Sequence, residues 1–412
     1  MKRIILFILV PIICFAQDIL YVTVSKNSID NIKIVISSAV YKTDLEKNFS
    51  EKITNVVEAN LLNSGLFKVK RATASQVVGD ISLTINLSKF SDQQLELSFS
   101  LFDLFMKKEL MNKTMILYQK DWRKMAHLIS DMIYSRLIGE KGHFNTKITY
   151  IAEERGQNNK CIRKIVVMDQ DGSNVKYLTN GDRFVSTPRF SPNGENIVYI
   201  SYYNGRSYII LKNLKNNTES VVSAFEGVLS GPRFAPDGKS LLVCCSSGSS
   251  TNILSLDLAN HRISKITNNT SINTSPSFSP DQNYIVFSSD SSGSQQLYIM
   301  NMVNQQTKRI SSNSGNYSTP VWSPNGDLVA FTKSKAGKFY IGVMKPDGKK
   351  ERLLSEGYKI ESPAWLPNGR EMIFTKTEPS NISQLCLIDL FKQKHKIIST
   401  QTNAFLADWS HF

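Results

Sequence analysis

Five copies of one octapeptide and a shortened sixth recur along the last two-thirds of the chain. They are 187–194 (TPRFSPNG), 231–238 (GPRFAPDG), 275–282 (SPSFSPDQ), 319–326 (TPVWSPNG), 362–369 (SPAWLPNG) and 406–410 (LADWS). Their aromatic residues, Phe190, Phe234, Phe278, Trp322, Trp365 and Trp409, are spaced by 44, 44, 44, 43 and 44 residues. A period held that closely confines the chain to repeat architectures, in which each unit is one supersecondary element that buries its faces against its neighbours.

Within a unit, Pro stands at the second position of a turn, where its fixed φ fits, and Gly at the end, where positive φ costs little. Continuous apolar runs follow at 197–200, 241–243, 285–287 and 328–331. Runs without alternation predict strands covered on both faces. A Gly- or Ser-containing loop, a third strand such as 296–300 and a short outer strand such as 308–310 complete the unit. Four strands in about 40–45 residues make a propeller blade. The first unit, with strands expected at 146–152, 164–168 and 176–178, lacks a leading strand, whereas 405–410 has nothing after it. The two ends are therefore expected to share a sixth blade, which predicts a six-bladed all-β propeller closed by the C-terminal strand.

Residues 17–142 carry no such repeat and are expected to form an α/β N-terminal domain, ahead of a propeller at 143–412. Leu45, Phe49, Ile53, Val56, Val57 and Leu61 predict one helical face, and a second helix is expected between Asp121 and Gly139. Alternating residues at 81–87 and 95–101 predict a hairpin across Ser91 and Asp92. At the N-terminus, Lys2 and Arg3 precede an apolar stretch of about 12 residues and small residues at Cys14 and Ala16, the pattern of a signal peptide spanning 1–16 and cleaved near Ala16. Export is the expectation, since a membrane-spanning helix needs about 20 apolar residues.

Composition narrows the chemistry. The net charge of +14 is spread along the chain, which favours acidic partners, while export argues against nucleic acid. None of the five cysteines forms a CxxC pair, and adjacent Cys244 and Cys245 suggest core packing. His127, His143, His261, His395 and His411 stand too far apart for paired ligands. The segment 227–231 (GVLSG) misses a hydrolase elbow by one position, and 169–173 (DQDGS) reads as a turn rather than a calcium loop. No catalytic, cofactor or metal residue is assigned, and a non-enzymatic monomer is expected.

What remains is a surface. The loops before each inner strand and the Gly-containing loops after each second strand should share one face, with the Pro-containing turns on the other. The candidate contact ring lies two residues before each Pro: Ser186, Ser230, Thr274, Ser318 and Glu361, with Phe405 as the sixth, and Val228, Gly231 and Asn273 beside them. Small side chains there would leave a concave mouth.

The segments 63–67 (NSGLF) and 137–148 (LIGEKGHFNTKI), together with the repeated turns, resemble the TolB family, periplasmic propeller proteins of the Tol-Pal cell-envelope system of Gram-negative bacteria. The resemblance implies a periplasmic adaptor that supports outer-membrane integrity and envelope constriction at cell division. It further implies that the propeller mouth binds the lipoprotein Pal, and that the mature N-terminal segment 17–28, with Asp18, Ile19, Tyr21 and Val22, binds TolA. Contact with the membrane would be peripheral at most. A second class stays open: a propeller enzyme, or an accessory subunit of a periplasmic peptidase lacking its own catalytic domain.

Overall fold

The computed structural model describes residues 31–37, 41–72, 79–156, 160–312, 314–392 and 395–411, which fall in two compact units, 1–141 and 142–412. The expected signal peptide and the segment 17–28 lie outside the described residues. Among the described residues no helix is long and apolar enough to cross a membrane.

In the first unit, strands β1 (Ile32–Ile36), β2 (Phe67–Arg71), β3 (Ile81–Lys89), β4 (Gln94–Asp103) and β5 (Lys108–Tyr118) form one sheet in the order β2-β1-β3-β4-β5. β1 runs parallel to β2 and β3, and the rest of the sheet is antiparallel. The helices are α1 (Asp44–Asn63) and α2 (Trp122–Ile138). Thr43 caps α1 in a capping box with Glu46, and Gly139 ends α2 at φ 80°. Asn60 Nδ2 donates to Ser130 Oγ at 2.9 Å and lies 3.0 Å from His127 Nδ1, a buried polar tie between the helices.

The buried stripe of α1 differs at its start from the expected one. It runs through Glu46, Ser50, Ile53 and Val57, leaving Leu45 exposed and Phe49 half-buried. Glu46 takes the inward position because its carboxylate accepts the backbone N–H groups of Lys42, Thr43 and Lys89. Bonding from Lys42 first, then Lys89, holds its carboxyl below the usual range. β5 was not anticipated, because it lies at the sheet edge, is mostly exposed and carries Lys108 and Lys113 on a weak alternation.

The second unit is six four-stranded antiparallel sheets. The inner strands, Phe184–Phe190, Val228–Phe234, Asn273–Phe278, Asn316–Trp322, Lys359–Trp365 and Asn403–Trp409, neighbour one another in a closed cycle. The closing blade joins Asn403–Trp409 to Lys147–Arg155, Cys161–Asp169 and Lys176–Tyr177, with Phe405 opposite Ile151 and Trp409 opposite Ile148. The shared blade thus forms as the orphan strands predicted.

The repeated aromatic residues fasten the ring between blades and within the closing one. Trp365 Nε1 donates to Val321 O of the preceding blade at 3.0 Å, and Trp409 Nε1 to Thr146 Oγ1 inside the closing blade at 2.8 Å. Trp322 N donates to Ser277 Oγ of the preceding blade at 3.1 Å. The turn glycines Gly194, Gly238, Gly326 and Gly369 have φ between 63° and 77°, and Gln282 holds the same conformation at 62°. Residues 169–173 form a tight turn between blade strands, closed by Gly172 N to Asp169 O at 2.9 Å.

Candidate functional site

In every blade the chain runs up the second strand and returns, so the starts of the inner strands and the loops after the second strands lie at one end of the channel. The Pro-containing turns lie at the other. This is the arrangement expected for the ring.

Each ring residue sits directly before a β-bulge. Ser186 pairs with Ile200 and Arg189 with Val198, so Thr187 and Pro188 together face one residue, and the same two-against-one shift follows Ser230, Thr274, Ser318, Glu361 and Phe405. Proline has no N–H to offer the ladder, which makes its position the natural place for a bulge. Yet the closing strand bulges at Leu406 and Ala407 without a proline, so the ring geometry itself imposes the feature.

The first bulged residue has positive φ in all six strands: Thr187 48°, Gly231 60°, Ser275 54°, Thr319 46°, Ser362 58° and Leu406 56°. Only one is glycine, and a β-branched residue in this conformation is a genuine outlier. Such strain persists where the surroundings over-determine it. Hydroxyl pairs supply part of that support: Thr319 Oγ1 to Thr332 Oγ1 at 2.7 Å, Thr274 Oγ1 to Ser288 Oγ at 2.9 Å, and Thr375 Oγ1 accepting Leu406 N at 3.1 Å. Outside Gly231, residue type does not mark this conformation, because Thr, Ser and Leu all disfavour positive φ.

The ring residues differ in what they present. Ser230 is exposed, while Ser186, Gly231, Thr274, Ser318, Glu361 and Phe405 are half-buried. Val228 is 61% exposed at the start of its strand. Asn273 differs from the expectation of a contact residue: it is fully buried, its amide donating to Thr251 O at 3.1 Å and Asn269 Oδ1 at 2.7 Å, so it pins the preceding loop. Phe405 and Phe184 each carry Arg163 at 4.9 Å over the ring, and that guanidinium is paired with Glu153 at 2.8 Å. Lys359 meets Glu361 at 3.2 Å. Asp18, Ile19, Tyr21 and Val22 lie outside the described residues.

Sequence reasoning included Val228 but missed Phe184 and Ile272, which stand at the same position of the outer rim. Phe184, Val228 and Ile272, each four residues before a repeat Pro in three consecutive blades, are 49%, 61% and 42% exposed. The signal was present, since the residue four before the Pro is apolar in these blades and Asn316 and Lys359 in the next two. Large apolar side chains displayed together on a surface mark an interaction site. The Cys244 thiol, within the blade that carries Ser230, offers no competing chemistry: it is fully buried, and burial pushes it up to about 12.

Comparison with known proteins places these features in a family. The family model described as PD40, TolB beta propeller domain, matches residues 134–412. The Tol-Pal system protein TolB of Wolbachia pipientis wMel is 62% identical over 415 residues, covering 100% of this chain and 99% of the relative. The Anaplasma marginale protein of the same description is 39% identical over 226 residues, covering 51% of each chain. The crystal structure of TolB from Acinetobacter baumannii superposes with a TM-score of 0.82 at 22% identity, covering 93% of this chain and 97% of that one.

Proposed function

Because the chain belongs to the TolB family and is a component of the Tol-Pal system, we propose that it acts as a non-enzymatic periplasmic adaptor whose propeller mouth receives a protein partner, the lipoprotein Pal. The observation that carries this reading is the composition of the mouth: the small side chains of Ser186, Ser230 and Thr274 stand at the starts of three consecutive inner strands beside exposed Phe184, Val228 and Ile272. Small residues leave room for an inserted loop, and the apolar rim supplies the area that anchors it. Strained bulges beneath the ring hold the inner strands in one conformation, so little ordering is left to oppose binding. In this reading the segment 17–28, freed by cleavage near Ala16, engages TolA. Through both contacts the protein supports outer-membrane integrity and constriction at division.

The test uses the full chain and purified Pal. Replacing Ser230, already exposed, with Trp should weaken Pal binding at least tenfold with the melting temperature within about 2 °C of wild type, since exposed changes cost little stability. Phe184→Asp should weaken it further by removing an apolar anchor. Unaltered affinity in both variants would reject the mouth as the Pal site. Deletion of 17–28 should abolish TolA binding and leave Pal binding intact.

A further inference from the structure

The opposite end of the channel, among the Pro-containing turns, opens into a cavity of about 290 Å³, just below the roughly 300–1,000 Å³ typical of ligand sites. Its walls are repeat aromatic and proline residues, among them Phe234, Trp322, Pro236 and Pro280, and its polar groups include Arg189, Arg233 and Asp408. Two guanidinium groups and one carboxylate leave an excess positive charge in an otherwise largely apolar space.

The arginines are not satisfied by the protein. Arg189 is 93% buried; its Nη1 donates to the carbonyls of Pro188, Leu406 and Ala407 at 2.9–3.4 Å, but its Nε has no partner among the described residues. The side chain of Arg233 is 20% exposed, and among the described residues its guanidinium reaches only Asp408 Oδ1, at 3.8 Å, too far for a hydrogen bond. Asp408 is engaged elsewhere, because its Oδ2 accepts the backbone N–H of Phe190 at 2.9 Å. A desolvated guanidinium with unfilled donors is costly unless a ligand or water fills them.

We propose that this turn-side cavity binds a carboxylate carried on an apolar or aromatic body, with Arg233 as its principal ligand and Arg189 as supporting charge. A guanidinium presents two parallel N–H donors that match a carboxylate. The excess charge inside the cavity is one unit, which a monoanion neutralises and a phosphate dianion overshoots. Proline and aromatic walls suit the body attached to the acid. Burial, then repulsion from Arg189, holds Arg233 down to about 9, as expected of a cation short of counter-charge. The site lies at the other end of the channel from the mouth ring and does not depend on what that ring binds.

The test is calorimetric titration of the full chain with 3-phenylpropionate and, separately, with its neutral amide. The acid should bind one to one, and the amide at least tenfold more weakly. Arg233→Gln should lower affinity for the acid at least tenfold, and Arg233→Lys should recover part of the loss. Asp408→Asn, which keeps an acceptor for Phe190 N and removes the competing charge, should tighten binding severalfold. The Asp408 variant moves affinity upward, so loss of folding cannot imitate its result. A peptide ending in Phe with a free carboxylate, and an amidated peptide carrying Asp, distinguish a chain terminus from an acidic side chain as the source. Equal binding of acid and amide, or no response to the Arg233 and Asp408 variants, overturns the proposal.

Discussion

At the scale of single residues, the repeat is most informative where one copy departs from it. Gln282 occupies the turn position held by glycine in four other blades and adopts φ 62°, with its N–H bonded to Ser279 O at 2.9 Å. A side chain in this region costs about 1–2 kcal/mol, part of which glycine returns through its freer unfolded chain. Gln282→Gly should therefore stabilise by roughly 0.5–1 kcal/mol, measured by urea unfolding. A second residue pair sets a pH response. His143 Nε2 and Glu371 Oε2 lie 3.4 Å apart in the interior of the second unit. Burial, then Arg370, holds the imidazole down to about 4, and burial, then Asp389, pushes the carboxyl up to about 7. The stability that His143 contributes is present above pH 6.5 and lost as pH falls through 4, while that of Glu371 is present below pH 4.5 and lost as pH rises through 7. The two largely compensate in the native pair. Glu371→Gln removes the ionisable half, so the variant should melt close to wild type at about pH 5 and above it at about pH 8, a gap that opens as pH rises through 7 and is visible in melting curves.

At the scale of elements, blade strands were legible because burial on both faces writes itself as unbroken apolar runs, such as 197–200. The edge strand β5 was not, since an exposed strand needs no pattern. Helix α1 shows the intermediate case: the apolar period located the helix, but the buried stripe shifted to Glu46 because three backbone donors converge on its carboxylate. The inner strand of the closing blade is held by Trp409, 3% exposed and bonded to Thr146 across 263 residues of sequence. Trp409→Ala should cost about 3–5 kcal/mol as a buried aromatic, with the loss appearing in the propeller transition in calorimetry.

At the scale of the molecule, closure makes the propeller depend on its last strand. Without 403–409 the closing blade keeps three strands and the ring exposes an unpaired edge at Lys147–Arg155, a template for aggregation. Truncation after Thr402 should lower the melting temperature by more than Trp409→Ala does and produce aggregates on size-exclusion chromatography. A truncated chain that elutes as a monomer with unchanged melting would contradict closure as the source of stability.

The sequence alone determined the number of blades, the shared closing blade and the end of the channel that carries the ring, because these follow from period, turn chemistry and strand order. It also identified the family through short motifs outside the repeats. Only the tertiary structure decided what each ring position offers: Asn273 is spent on its own loop, whereas Phe184 and Ile272 stand out at the rim. The six bulges, with Thr, Ser and Leu at positive φ, and the convergence of Arg189, Arg233 and Asp408 on one cavity belong to the same class. Local preference opposes the first and is silent on the second. Both involve residues separated by more than two hundred positions and brought together when the ring closes, which no local pattern encodes.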